Sequence, residues 1–374
     1  MRILLVGGIA RSLINFRGPL IKTLVAKGHD VLACAPDAQT EIRSQLADIG
    51  ARYFHVPLFR TGTSPLMDFQ TLIQLKKIIQ QQRPERVLAY TAKPVIYSHI
   101  AARMAGKPAV FGMITGLGYG FGKDSFQQRF VGKVVRHLYR IALKSSSGVF
   151  FQNPDDKELF LKERLLPKRI PLTILNGSGV DLDWYRPQPV PKEPVFLLVA
   201  RLLAEKGLHE YYQAARRLKE KYPEARFQVA GDLDANPSSI GIDELERWQA
   251  EGVIEYLGRL DDIRPAYAAA KVFVLPSYYR EGTPRTALEA MAMGRPLITT
   301  DAPGCRETVV DGENGFLVPV KDVERLEKAM EQFILEPELA VQMGANGHAY
   351  AVEKYDVHKV NKVIMEAMGL DNEK

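Results

Sequence analysis

Two acids eight residues apart, Glu281 and Glu289, bracket a segment whose residue types suit an anionic ligand. It reads Val272-Phe273-Val274-Leu275-Pro276-Ser277-Tyr278-Tyr279-Arg280-Glu281-Gly282-Thr283-Pro284-Arg285-Thr286-Ala287-Leu288-Glu289. An apolar strand is expected to end near Pro276, with Glu281 and Gly282 on the loop beyond it. Thr283 suits an N-cap and Pro284 the first position of a helix. The N–H groups of Arg285 and Thr286 then lack intrahelical acceptors and, with the helix dipole, form a site suited to a diphosphate. Glu289, one turn in, comes within reach of hydroxyls on an attached ribose, and Glu281 of a sugar beyond the phosphates. The plainer alternative is an ordinary capped helix, with Glu281 paired to Arg280 or Arg285 and Glu289 on a solvated face.

A second cluster favours the ligand. The apolar run Val195–Ala200 leads into Arg201-Leu202-Leu203-Ala204-Glu205-Lys206-Gly207. Arg201 offers a planar fork and Lys206 a point charge, and both could neutralise a diphosphate leaving group.

The elements that must position these residues follow one pattern. Short apolar runs alternate with amphipathic ones, as in Arg2–Val6, Phe16–Ala26 and His29–Ala35, which implies parallel sheets covered on both faces. Four prolines between Pro187 and Pro194 interrupt the alternation, which then restarts. The reading is α/β: two Rossmann-like, doubly wound domains facing across a cleft, with a helical C-terminal tail. The expected boundaries are 1–186 for the first domain, 187–194 for a linker, 195–350 for the second domain and 351–374 for a C-terminal helix returning to the first. Ligands in such sheets collect beyond the carboxyl ends of the strands.

Composition agrees with a globular chain: of 374 residues, 46% are hydrophobic and 25% charged. Cys34 and Cys305 are the only cysteines, too few for a disulfide framework. No run approaches the roughly 18 apolar residues of a membrane span, so a cytoplasmic protein, peripheral on the inner face of the cell membrane, is expected. Residues 1–187 hold 27 Lys and Arg against 13 Asp and Glu, and the remainder 23 against 31, so a net charge of +6 divides into +14 and −8. The basic half is expected to meet something anionic. Over Phe126–Leu143, Arg129, Lys133, Arg136, Arg140 and Lys144 form one stripe beside another of Phe130, Val134, Leu138 and Ile141. An anionic membrane or a lipid-linked diphosphate fits that helix, and a solvated face is the alternative.

Together these motifs resemble a retaining glycosyltransferase of the GT-B fold, in the large family that includes sucrose and lipopolysaccharide synthases (family 4). The likeness is carried by Arg201, Glu205-Lys206-Gly207, the Glu281–Glu289 spacing, Asp301-Ala302-Pro303-Gly304 and Asn314-Gly315. It implies that Arg201 and Lys206 bind the donor diphosphate, Glu289 the ribose and Glu281 the transferred sugar, with Glu281, Arg201 and Lys206 as the catalytic set. Backbone at Gly282, Thr283, Pro284 and Arg285 would line the donor, and the base would lie near Gly258–Leu260. Gly7-Gly8 resembles the loop that approaches the diphosphate from the first domain, although an ordinary strand-to-helix turn reads the same way. No metal or other cofactor is implied; a UDP-sugar is the expected substrate.

Asn15-Phe16-Arg17-Gly18-Pro19 and the glycine-rich Thr115–Gly122 are similar to bacterial polysaccharide enzymes that act on undecaprenyl-diphosphate-linked sugars, including N-acetylgalactosaminyltransferases. That likeness assigns Asn15, Arg17, Lys93, Thr115, Gly116 and Tyr119 to a lipid-linked acceptor. Many family members carry His where Thr115 falls. A nucleotide-sugar 2-epimerase of the same fold is the alternative enzyme. A basic nucleic-acid-binding protein is a weaker one, because no module with interleaved aromatic and basic residues is evident. Asp181-Leu182-Asp183 and Asp232-Leu233-Asp234 lack the context of a metal-binding Asp-x-Asp.

Overall fold

The computed structural model describes every residue except 37, 60–63, 118–120, 122–125, 235, 237 and 372–374, and only the backbone of 126–128. It divides into two units, Met1–Ser178 with Val357–Lys374, and Gly179–Asp356.

In the first unit the chain runs β1 (Arg2–Val6), α1 (Ala10–Asn15), α2 (Gly18–Ala26), β2 (Asp30–Ala35), α3 (Thr40–Asp48), β3 (Ala51–His55), α4 (Pro65–Gln82), β4 (Arg86–Tyr90), α5 (Ala92–Met104), β5 (Ala109–Ile114), α6 (Phe126–Ala142), β6 (Gly148–Phe151), α7 (Pro154–Lys162) and β7 (Leu172–Ile174). All strand pairs are parallel, in the order β3-β2-β1-β4-β5-β6-β7. One sheet face packs on α4 to α7 through Leu75, Val95, Tyr139 and Phe160. The other packs on α1 to α3 through Leu13, Leu20 and Leu46. The helix expected over Phe16–Ala26 is α2, which Gly18-Pro19 starts with Pro in its first turn, while α1 lies ahead of the expected range.

The second unit contains β8 (Val195–Val199), α8 (Leu208–Lys221), β9 (Arg226–Ala230), α9 (Ile242–Ala250), β10 (Glu255–Tyr256), α10 (Arg264–Ala269), β11 (Val272–Leu275), α11 (Arg285–Ala292), β12 (Leu297–Thr300), β13 (Gly315–Val318), α12 (Val323–Leu335) and α13 (Pro337–Tyr350). Its parallel order is β10-β9-β8-β11-β12-β13. A π-turn, Ala351–Tyr355, precedes α14 (Val357–Ala367), whose Val360, Ile364 and Met365 join the core of the first unit.

The division falls between Ser178 and Gly179, ahead of the proline-rich stretch expected as the linker. Residues 187–194 lie inside the second unit because buried cations hold their carbonyls. Arg295, 0% exposed, donates to the carbonyls of Gln188 and Pro189. Lys271 Nζ donates to that of Lys192 at 2.5 Å. Prolines removed the N–H groups that a sheet would use, and their neighbours' acceptors were taken by side chains instead. Among the described residues no helix is long and apolar enough to cross a membrane.

Candidate functional site

In the second sheet the strand order reverses between β8 and β11, and a doubly wound sheet collects ligands at such a switch point. The loop after β8 carries Arg201 and Lys206, and the loop after β11 carries Glu281. A 3-10 turn, Ala204–Lys206, ends at Gly207 in a left-handed conformation, φ 80°. A Cβ there would sit 2.2 Å from the Pro276 carbonyl oxygen, so the two loops pack as closely as they do only with glycine. The Glu205 carbonyl accepts the N–H groups of both Tyr278 and Tyr279 at 2.9 Å.

This clasp brings the expected donor residues together. Lys206 Nζ forms an ion pair with Glu281 Oε1, and Ser277 Oγ lies 3.3 Å from the same oxygen. The Tyr279 ring lies under both cations, 5.0 Å from Lys206 Nζ and 5.9 Å from Arg201 Cζ. Arg201 also donates to Asp234 at 2.6 Å. Asp234, set aside as a metal motif, is thus a counter-ion of Arg201. Neither pairing uses all the donors of its cation: ammonium has three N–H groups and guanidinium five. Each carboxylate therefore holds its cation in place through only part of that cation's donor set.

The helix on this loop begins one residue later than its sequence implies. Pro284, not Thr283, is the N-cap, and its carbonyl accepts from Ala287 and Leu288 at 3.1 and 3.3 Å. Thr283 is buried. Helix geometry still leaves the N–H groups of Arg285 and Thr286 without acceptors inside α11.

Glu289, 8% exposed, is neither solvated nor loose. Arg285 Nε donates to its Oε1 at 2.9 Å, and Tyr267 Oη stands 3.2 Å from its Oε2. Burial first, then the negative charge of Glu289, pushes the hydroxyls of Tyr267 and Tyr185 far above the usual tyrosine range. Both phenols stay protonated beside the carboxylate.

A third loop supports Glu281. Gly304 adopts φ 84°, and a Cβ on it would lie 2.1 Å from the Gly282 carbonyl oxygen and 2.7 Å from that of Glu281. Next to it, burial and then the charge of Glu281 push the Cys305 thiol up to about 12, leaving it an unreactive packing group. At the carboxyl ends of β9 and β10, where the base was expected, the Gly258 carbonyl accepts from Gly231 N–H at 2.9 Å and Leu260 is exposed.

The first sheet has its own reversal, between β1 and β4. Gly7 and Gly8 follow β1 there, and a Cβ would meet Tyr90 Oη at 2.3 Å on Gly7 and Thr91 Oγ1 at 3.0 Å on Gly8. Packing against Tyr90 and Thr91 therefore favours small residues at both positions. Arg17, expected at the acceptor, is instead in the core at 1% exposure, with its guanidinium 5.0 Å from the Tyr90 ring centre. The long side chain found aromatic and sulfur neighbours inside, with NH2 2.7 Å from Met113 Sδ. Asn15 is exposed, while Thr115 and Gly116 are half-buried beyond β5. Lys93 pairs with Asp68 at 2.6 Å. Tyr119 lies outside the described residues.

On α6, Arg129, Lys133 and Arg140 are exposed, as is Lys144 just beyond it. Arg136 leaves the expected stripe: its Nε reaches Glu163 at 2.5 Å, and its guanidinium lies 4.4 Å from the Phe121 ring centre. Sequence reasoning missed Tyr267, Tyr185, Tyr279 and Asp234. Only Tyr279 and Asp234 carried a signal, being polar residues just past strand ends.

Two family models match the chain almost end to end. The model for glycosyl transferases group 1 matches residues 185–350, and that for the glycosyl transferase 4-like domain matches residues 16–176. A similar relative is the N,N'-diacetylbacillosaminyl-diphospho-undecaprenol alpha-1,3-N-acetylgalactosaminyltransferase of Campylobacter jejuni, 26% identical over 370 residues and 95% of each chain. Another is the UDP-Gal:alpha-D-GlcNAc-diphosphoundecaprenol alpha-1,3-galactosyltransferase of Escherichia coli, 28% identical over 76% of this chain and 75% of its own. Among solved structures, HepE of Anabaena in complex with UDP-glucose superposes with a TM-score of 0.78 over 99% of both chains, at 19% identity. The chain belongs to the glycosyltransferases, with a 4-like first domain and a group 1 second domain in the GT-B fold.

Proposed function

We propose that this glycosyltransferase moves a hexose or N-acetylhexosamine from a UDP-sugar to a lipid-diphosphate-linked glycan, with retention at the anomeric carbon. The observation that carries the donor reading is the Lys206–Glu281 ion pair at the β8/β11 switch point, with Arg201 beside it on the Tyr279 ring. Arg201, Lys206 and the first N–H groups of α11 are assigned to the diphosphate. Glu289 is assigned to the ribose, Glu281 to the sugar and Gly258–Leu260 to the base. As the bond from the anomeric carbon to the diphosphate breaks, the acceptor oxygen bonds that carbon on the same face. The acceptor proton passes to a leaving phosphate oxygen, whose charge the two cations offset. Such a step uses no metal ion.

A uridine donor and a lipid-linked acceptor are supported by the names of the relatives and by the UDP-glucose complex of the structural neighbour. Lys93, Thr115 and Gly116, at the strand ends of the first unit, are assigned to the acceptor. A lipid-held acceptor places the work at a membrane surface, and the exposed cations of α6 suit its inner, anionic face.

The test is a screen of UDP- and GDP-sugars for thermal stabilisation, followed by transfer assays with a lipid-diphosphate acceptor, with and without EDTA. Lys206→Ala and Glu289→Ala should each abolish transfer while leaving circular dichroism unchanged. Wild-type turnover in either variant overturns the assignment of that residue. Donor turnover without any acceptor overturns transfer in favour of epimerisation.

A further inference from the structure

The helices α4 and α6 each bear an apolar stripe on the side away from the core. On α4, Leu66, Phe69 and Ile73 are 66%, 58% and 42% exposed. Their spacing of three and four puts them on one side of the helix, opposite the buried Thr71, Leu75 and Ile78. On α6, Phe130 is 62% exposed and Val134 44%, one turn apart. The residues that seat α6 on the sheet are different ones, Val135, Tyr139 and Ala142. Phe130 and Val134, which have the spacing of a core stripe, therefore face outward.

The two stripes share a layer. Both helices lie on the same face of the first sheet, and α5 packs between them. In a parallel sheet each crossover helix runs antiparallel to the strands, so its first turns stand at the carboxyl edge. Leu66 and Phe69 occupy the opening turns of α4, and Phe130 the second turn of α6. The apolar groups thus cluster at the sheet edge that carries Lys93 and Thr115. Cations flank them: Arg129 and Lys133 are exposed on α6 beside Phe130 and Val134, and Lys77 is exposed one turn beyond Ile73.

We infer that the outer faces of α4 and α6 together form a membrane-docking surface, in which Leu66, Phe69 and Phe130 enter the acyl boundary of an anionic bilayer while Arg129 and Lys133 contact its headgroups. Charge alone would make a surface contact that salt dissolves. Large apolar side chains between the cations add a contribution that salt does not screen. A folded partner protein, or a second copy of the chain, would not by itself require the basic rim. An anionic bilayer matches the rim, the apolar centre and the +14 charge of residues 1–187 at once. The inference deepens the reading of a lipid-linked acceptor by naming the surface that meets the lipid.

The experiment is flotation of the whole chain with vesicles of phosphatidylcholine containing one part in four phosphatidylglycerol, without donor or acceptor. The wild type should float, less so as salt rises, with a remainder that persists in molar salt. Phe69→Ser combined with Phe130→Ser should lower the partition coefficient by about tenfold or more per side chain and remove the salt-resistant remainder. Arg129→Glu with Lys133→Glu should remove the salt-sensitive part. Phe69→Trp should float like the wild type and shift its emission to the blue on the vesicles. Transfer to a short-chain, water-soluble acceptor should be unchanged in the serine variant. A wild type that stays in solution overturns the inference, as does a serine variant that floats as well or a dimer that the serines split. Vesicles without substrate make that failure separable from failure of the transferase reading.

Discussion

Lys206 and Glu281, 75 residues apart in sequence, meet as a nearly buried ion pair, their side chains 11% and 13% exposed. The loop after one central strand is thereby tied to the loop after the next. Removing one partner of such a pair strands the other charge, at a cost of about 3 kcal/mol or more. Lys206→Ala should therefore lower the melting temperature of the chain as well as abolish transfer. Lys206→Met combined with Glu281→Gln, which leaves no orphan charge, should recover most of that stability and none of the activity. A double variant no more stable than Lys206→Ala would show that the pair is not coupled.

Tyr267 is placed to aim Glu289 rather than to touch a ligand. Its hydroxyl stands 3.2 Å from one carboxylate oxygen and 3.0 Å from the Thr286 carbonyl, while Arg285 holds the other oxygen. A hydrogen bond to a charged group contributes roughly 1.5–3 kcal/mol. With Glu289 at the ribose, Tyr267→Phe should raise KM for the UDP-sugar about tenfold with kcat nearly unchanged. It should also narrow the preference for the ribose donor over its 2′-deoxy analogue. An equal loss with both donors would point to a general packing role.

The two sheets and the donor loops were legible because parallel strands, buried on both faces, read as apolar runs such as Val272–Leu275, and because Glu281 and Glu289 lie in one segment. The residues that steady them were not. Tyr267, on a short helix before β11, and Tyr185, ahead of the prolines, reach Glu289 only through the fold, and no spacing signals it. Arg17, assigned to the acceptor by family likeness, and Arg136, read into a basic stripe, each found an aromatic ring inside, and Arg136 a carboxylate as well. On α6 the period of 3.6 was correct, but it could not tell which apolar stripe would face the sheet, since Val135 and Tyr139 compete with Phe130 and Val134.

Acid should weaken the first unit through His99. The ring is 1% exposed: Nδ1–H donates to the Val95 carbonyl at 2.7 Å, and Nε2 accepts from Ser146 Oγ at 3.0 Å. Burial pushes its pKa down from 6.5 to about 4. In that interval the unfolded chain binds a proton that the folded chain refuses. Stability is therefore full above pH 6.5, falls as the pH drops toward 4 and levels off below, by roughly 3 kcal/mol in all. His99→Gln should start less stable and lose less between pH 7.5 and 5. Parallel melting curves for both chains across that range would remove His99 as the cause.

Gly304 offers a way to move Glu281 without altering its chemistry. Its φ of 84° and its contact with the Gly282 carbonyl admit no side chain, since a methyl group would lie 2.1 Å from that oxygen. The oxygen is backbone and cannot rotate away, so Gly304→Ala must shift one loop against the other. Strain of this kind amounts to about 1–3 kcal/mol, a modest loss for a unit of this size. A displacement on the order of 1 Å in a catalytic loop costs about a hundredfold in rate. The variant should thus remain folded and lose kcat/KM by about two orders of magnitude. Thermal stabilisation by UDP should fall much less, because Arg201 follows β8 and Glu289 is held inside α11 by Arg285 and Tyr267. Equal losses of UDP binding and turnover would mean that the shift spreads through the whole donor site and that Gly304 does not act through Glu281.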